Sequence, residues 1–139
     1  MDKDIIATKI ETIRRCLHRV KTHTPACYED LAEDYDSQDI ISLNLERAIQ
    51  ASVDIAAHLI VDTEEVPAQT MSESFTLLSK CKIITNSLSE KMKKSVGFRN
   101  ISVHEYQTID WEIVYSICTK CLDDFTEYIH QLTKYCKLN

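Results

Sequence analysis

Apolar side chains recur along this chain at helical spacing, and polar stretches break the pattern into segments. Ile5, Ile6, Ile10, Ile13, Leu17 and Val20 follow a 3.6-residue period, so residues 4–22 are predicted to form a helix. Asp2 and Asp4 stand at its start and Arg19 and Lys21 at its end, the order a helix dipole favours. Residues 23–36, with Pro25 and a run of acids, read as a loop. From Asp36-Ser37 a second helix is expected to reach about Val61. Its apolar and small positions (Ile41, Leu45, Ala48, Ser52, Ile55, Leu59) cover a wide arc, as in a central helix packed on several sides. Asn44, Arg47, Asp54 and His58 interrupt that arc, and polar groups in such a helix need partners, so some are expected to line a site.

Residues 63–69, with Pro67, form a connector, and a short helix over 72–80 is anchored by Phe75 and Leu78. Residues 81–86 turn the chain. Leu88, Met92 and Val96 then define a helix from Ser87 that runs into Gly97-Phe98-Arg99-Asn100. A last helix is predicted from an Asp110 cap through Ile113, Val114, Ile117, Cys121, Leu122, Phe125, Ile129 and Leu132 to about Cys136. The expected fold is all-α: an antiparallel four-helix bundle with one additional short helix, in a single domain over residues 1–139.

Composition supports this. With 139 residues, 44% of them hydrophobic, the chain can build one core. One glycine and two prolines are too few for the turns of a β-rich fold. The start is charged and lacks the apolar core of a signal peptide, and Val53–Val61, broken by Asp54 and His58, is too short to span a bilayer. A cytoplasmic location without membrane association is expected, with the six cysteines reduced. Cys118-x-x-Cys121 has zinc or redox spacing but sits within a helical stretch on the side of Val114 and Phe125, where Cys behaves as a small apolar residue. Neither metal nor cofactor is expected.

The net charge of −6 does not suggest a nucleic-acid binder, but the charges are segregated. Residues 29–39 hold six acids and no base, whereas Lys80, Lys82, Lys91, Lys93, Lys94 and Arg99 face only Glu90 over residues 80–99. Arg14, Arg15, Arg19 and Lys21 make a second basic run. Either run is ordinary as a solvated helix face, yet a local basic face can engage phosphates despite the total charge.

The segment Gly97-Phe98-Arg99-Asn100-Ile101-Ser102-Val103-His104-Glu105-Tyr106 gathers guanidinium, amide, imidazole and phenol groups. Asn100 and His104 project from one helical face, and Arg99 and Tyr106 share a neighbouring stripe. Arg99 and His104 diverge by roughly 140° on a regular helix, so one ideal helix does not focus both on one phosphate. Either the helix is distorted or ends there, or a second subunit contributes. These groups suit RNA transesterification, in which an imidazole moves protons and a guanidinium meets charge on a phosphorane. The competing reading is a structural Arg–His pair tying two helices together.

Arg99-Asn100-Ile101-Ser102-Val103-His104-Glu105-Tyr106 resembles the R-x4-H-x-Y signature of HepT-like HEPN proteins. The likeness extends to Leu43–Ala51 with Asp54–Ile60, to Ser74-Phe75-x-Leu77-Leu78, to Val96–Asn100 and to Leu122-Asp123-Asp124-Phe125. Glu105 stands where the family usually has Asp. The resemblance implies a helical bundle that forms a homodimer with two R-x4-H motifs facing across a cleft. It implies a metal-independent endoribonuclease acting as the toxin of a toxin–antitoxin pair, with a minimal nucleotidyltransferase antitoxin as partner. Arg99 and His104 would be catalytic, Asn100 would support them, and Tyr106 would receive AMP from the antitoxin. Lys91, Lys93 and Lys94 are candidates to guide the RNA backbone. The alternative is a non-catalytic HEPN subunit that docks a nucleotidyltransferase. Asp54 and Glu46 are candidate partners of Arg99. His58 is read as a core or interface residue, His18, His23 and His130 as surface or packing residues, and Tyr115, Tyr128 and Tyr135 as packing groups.

Overall fold

The computed structural model describes residues 1–138. Its first helix, α1 (Lys3–His23), is capped by Asp2, whose carboxylate accepts from the backbone N–H groups of Asp4 and Ile5 at 3.0 and 3.2 Å. Ile6, Ile10, Ile13, Cys16, Leu17 and Val20 are its buried face. The stripe lies on α3 (Tyr35–Val61), a helix of 27 residues and roughly 40 Å. As the breadth of its apolar arc requires, α3 is packed on several sides, touching α1, α4 (Met71–Lys80) and α5 (Asn86–His104). The polar groups within α3 are satisfied locally: Ser52 Oγ donates to the Ala48 carbonyl at 2.7 Å and Asn44 Nδ2 to the Ile40 carbonyl at 2.8 Å.

Threonines start the next two helices. Thr70 Oγ1 accepts from the Glu73 N–H at 3.1 Å while Glu73 reaches back to the Gln69 N–H at 3.1 Å, and Thr85 Oγ1 accepts from the Leu88 N–H at 3.2 Å. After α5 the chain makes a 3-10 turn over Tyr106–Thr108. Asp110 then caps α6 (Trp111–Ser116), which passes through a π-helical turn (Ile117–Cys121) into α7 (Leu122–Cys136). These last three segments form one helical column, the fourth member of the bundle. Tyr128 locks the column into the core. It is fully buried, its ring meets Phe75 edge-on at 5.7 Å, and its hydroxyl donates to the Ser52 carbonyl at 2.8 Å.

The bundle is all-helical, with α4 as the expected short helix. The predicted loop over 23–36 contains a further helix, α2 (Tyr28–Glu33), held by the fully buried Leu31. A six-residue helix with one apolar anchor presents no period to read. Tyr135, expected to pack, is exposed, and His58 is exposed on the last turn of α3 rather than in the core. Among the described residues, no helix is long and apolar enough to cross a membrane.

Candidate active site on the α3–α5 face

Helix α5 runs antiparallel to α3 and hooks onto it through three polar contacts, each one step nearer the N-terminus of α3. Arg99 Nη2 donates to Gln50 Oε1 at 3.4 Å, Ser102 Oγ donates to Glu46 Oε1, and the Tyr106 hydroxyl donates to Asp39 Oδ1. Residues 99, 102 and 106 therefore face α3, with Tyr106 reaching it from the 3-10 turn and not from a continued helix. Asn100 and His104 lie on another face of α5 and are exposed. The helix is unbroken through His104, so Arg99 and His104 keep the divergence that regular geometry gives them.

The guanidinium of Arg99 is half-buried and held at the end of a relay. Gln50 Nε2 donates to Asp54 Oδ1 at 2.9 Å, and Asp54 Oδ2 accepts from Lys9 Nζ at 3.2 Å. Asp54 and Glu46, the expected partners of Arg99, are displaced from that role. Gln50 stands between them, one helical turn from each, and takes the guanidinium, while Glu46 takes Ser102. The spacing 46, 50, 54 on one face of α3 was the signal that could have found Gln50. Asp39 was also missed, because in sequence it closes an acidic run that reads as solvated.

Tyr106 rests edge-on against Trp111 at 5.9 Å, and burial together with the hydrogen bond to Asp39 raises its pKa. The phenol is thus protonated at neutral pH, with a carboxylate already on its proton.

The lysines expected to guide RNA divide. Lys93 pairs with Glu90 at 3.0 Å, whereas Lys91 and Lys94 border a cavity of about 820 Å³ between α5 and the α6–α7 column. That cavity is lined by apolar side chains including Phe98, Ile101, Ile113 and Ile117; Ile101 and Ile113 are also exposed, beside the motif. Cys118 is buried, which pushes its thiol up to about 11, and Cys121 is half-buried, both within the π turn. Among the described residues, no three His, Cys, Asp or Glu side chains gather as a metal site.

A family model described as ribonuclease HepT-like matches residues 13–132. A protein of Shewanella oneidensis named mRNA nuclease HepT is 40% identical over 129 residues, spanning 91% of this chain and 94% of that protein. A tRNA nuclease HepT of Aphanizomenon flos-aquae is 30% identical over 131 residues, spanning 94% of this chain and 89% of that protein. Among solved structures, a tri-AMPylated HEPN toxin of Shewanella oneidensis in complex with MNT antitoxin has a TM-score of 0.89 at 37% identity, covering 96% of this chain and 99% of that one.

Proposed function

The chain belongs to the ribonuclease HepT-like family, and from that premise we propose that it is the toxin of a toxin–antitoxin pair, a metal-independent endoribonuclease silenced by AMP transfer to Tyr106. The observation that carries this reading is the division of labour on α5. Arg99 on the helix and Tyr106 in the turn just after it are held against α3, while Asn100 and His104 stand free for a ligand.

In the proposed reaction the 2′-oxygen of a ribose attacks the adjacent phosphorus and the bond to the 5′-oxygen breaks. His104 takes the 2′-proton or delivers one to the departing 5′-oxygen, and the guanidinium of Arg99 meets the charge on the phosphorane. The products are a 2′,3′-cyclic phosphate and a 5′-hydroxyl. Asn100, one turn from His104, supplies an amide to the same face. Of the lysines expected to guide RNA, Lys91 and Lys94 hold the backbone, and Lys93 does so only on release from Glu90. Because Arg99 and His104 diverge on an unbroken helix, the site is completed by a second copy in a homodimer, and exposed Ile101 and Ile113 beside the motif fit such a contact.

Neutralisation follows from Tyr106. A nucleotidyltransferase antitoxin presents ATP, the phenol oxygen attacks the α-phosphorus, pyrophosphate leaves, and the phenolic proton passes to Asp39. The added phosphate competes with RNA for Arg99 and its adenosine fills the cleft.

The test joins two measurements. Cleavage should survive EDTA and fail on RNA carrying a 2′-deoxy substitution at the cut; loss with chelator, or equal cutting of the deoxy substrate, overturns the mechanism. Coexpression with the neighbouring nucleotidyltransferase should add AMP mass that maps to Tyr106 and disappears in Tyr106→Phe. Full neutralisation without added mass overturns the switch.

A further inference from the structure

The basic run at residues 14–21 is divided by the fold. Arg14 and Lys21 turn with His18 toward α7, and Arg14 is paired with Glu11. Arg15 and Arg19 turn the other way, toward α3, where Arg47 meets them across a groove of about 300 Å³. The same groove is lined by Gln50, the residue that holds Arg99. All three guanidinium groups are exposed, and among the described residues none of the three has a carboxylate within ion-pair distance. Their charges converge: burial raises the pKa of the Cys16 thiol in the groove wall, and Arg47, Arg15 and Arg19 each oppose that rise.

Lys9 and Asp54 also line the groove but pair with each other at 3.2 Å, so among the described residues the three arginines have no counter-ion of their own; like charges gathered in this way repel one another, a cost that a bound anion removes. Arg15 and Arg19 are one turn apart, about 6 Å along the α1 axis, close to the spacing of successive phosphates in an extended RNA strand. Arg47 and Gln50 line the same groove, and Gln50 in turn accepts from Arg99, which links the row to that guanidinium. Planar guanidinium groups match phosphate oxygens two at a time, so Arg serves this purpose better than Lys.

We propose that Arg15, Arg19 and Arg47 form a phosphate-binding subsite that holds the backbone of single-stranded RNA on the approach to Arg99. This rests on the ribonuclease reading and extends it to the α1–α3 face, a surface distinct from that of Lys91 and Lys94. The phosphates run along the groove, and Gln50 is the joint between the held strand and the reacting phosphodiester. An acidic face of the antitoxin is the competing occupant. A strand of regularly spaced anions fits the row better, because the row ends on the guanidinium proposed to act on a phosphate.

The experiment is equilibrium binding of a short, fluorescently labelled 2′-O-methyl RNA, which lacks the attacking hydroxyl, across a salt series. Each arginine replaced by glutamine should make the slope of log K against log salt shallower by about 0.7, and the triple variant by about 2. Arg47→Lys should restore most of the slope lost in Arg47→Gln, while circular dichroism and melting temperature stay with the parent. An unchanged slope in the folded triple variant overturns the subsite. So does a triple variant that keeps its RNA affinity but loses capture of the nucleotidyltransferase, which would assign the groove to the antitoxin. If the parent binds no RNA and cuts none, the ribonuclease reading itself fails, and that result is distinct from failure of the groove alone.

Discussion

Replacing Gln50 by alanine isolates the hold on Arg99. Gln50 is the middle of a relay in which Lys9 fixes Asp54, Asp54 accepts from the Gln50 amide, and the Gln50 carbonyl oxygen accepts from Arg99 at 3.4 Å. At that length the last bond contributes about 0.5–1 kcal/mol net, below the range of a well-formed bond to a charged donor. Truncation also frees a side chain carrying about 2 kcal/mol of rotamer entropy, some of which must be spent again when Arg99 meets the phosphorane. Together these place the loss near 1.4 kcal/mol, a tenfold fall in kcat. The fall belongs in kcat more than KM, because charge on the phosphorane oxygens develops in the transition state. Gln50 is only half-buried and Asp54 keeps Lys9, so the melting temperature should move little. The assay is single-turnover cleavage of a labelled RNA by the parent, Gln50→Ala, Arg99→Ala and the double variant. Arg99→Ala should lose about a hundredfold or more, and adding Gln50→Ala to it should cost nothing further. A Gln50→Ala rate within twofold of the parent, or an equal loss in the Arg99→Ala background, would refute positioning through the guanidinium.

Three other expectations follow. Tyr128→Phe removes the bond to the Ser52 carbonyl without opening a cavity and should cost about 1 kcal/mol in urea denaturation, leaving cleavage at the parent rate. Gly97 lies within α5, where an added Cβ would meet nothing within 4 Å, so Gly97→Ala should stabilise the fold by about 0.5–1 kcal/mol in thermal melting; activity lost despite that gain would mean that RNA or a second chain approaches the backbone there. Asp39→Asn removes the proton acceptor of Tyr106, whose pKa is raised first by burial and then by Asp39, so the ionised fraction at neutral pH is small. AMP transfer, followed by intact mass, should slow about a hundredfold at pH 7 and recover as pH rises toward phenol ionisation; a rate equal to the parent at pH 7 would show that the base lies in the antitoxin.

The long elements were legible in the sequence because each buries a stripe that repeats over several turns. The Ile6–Val20 stripe of α1 and the broad arc of α3 are both of this kind. Elements of about one turn were not. Leu31 alone anchors α2, and the π turn at Ile117–Cys121 keeps Cys118 buried within a run that reads as ordinary helix. The motif residues were legible from their chemical types and their family resemblance. Their supports were harder to read, since each depends on the register between α3 and α5, 49 positions apart for Arg99 and Gln50 and 67 for Tyr106 and Asp39. A single sequence carries no direct mark of that register, and Asp39 is indistinguishable from its acidic neighbours until α5 is laid across it.

The register also decides between the ways in which Arg99 and His104 could meet a common phosphate. A break in α5 would have allowed one chain to bend the imidazole toward the guanidinium, but the helix stays regular to His104 and then ends at Glu105. Positions 99, 102 and 106 are consumed by the hold on α3, which leaves 100 and 104 facing outward. Helical period thus separates the groups that are anchored from those that are free, and it does so in every copy alike. Transesterification needs one group to take the 2′-proton and another to supply the 5′-oxygen, whereas one chain offers a single imidazole on this face. In the proposed two-fold pair each copy contributes one imidazole and one guanidinium, so the outward face of one helix answers that of the other and base and acid come from different chains. Heterodimers that pair a parent chain with a His104→Ala chain hold only one of the two imidazoles, so cleavage in them should fall about a hundredfold rather than to half. Half of the parent's activity in verified heterodimers would mean that each chain's imidazole works alone, and would overturn the shared arrangement.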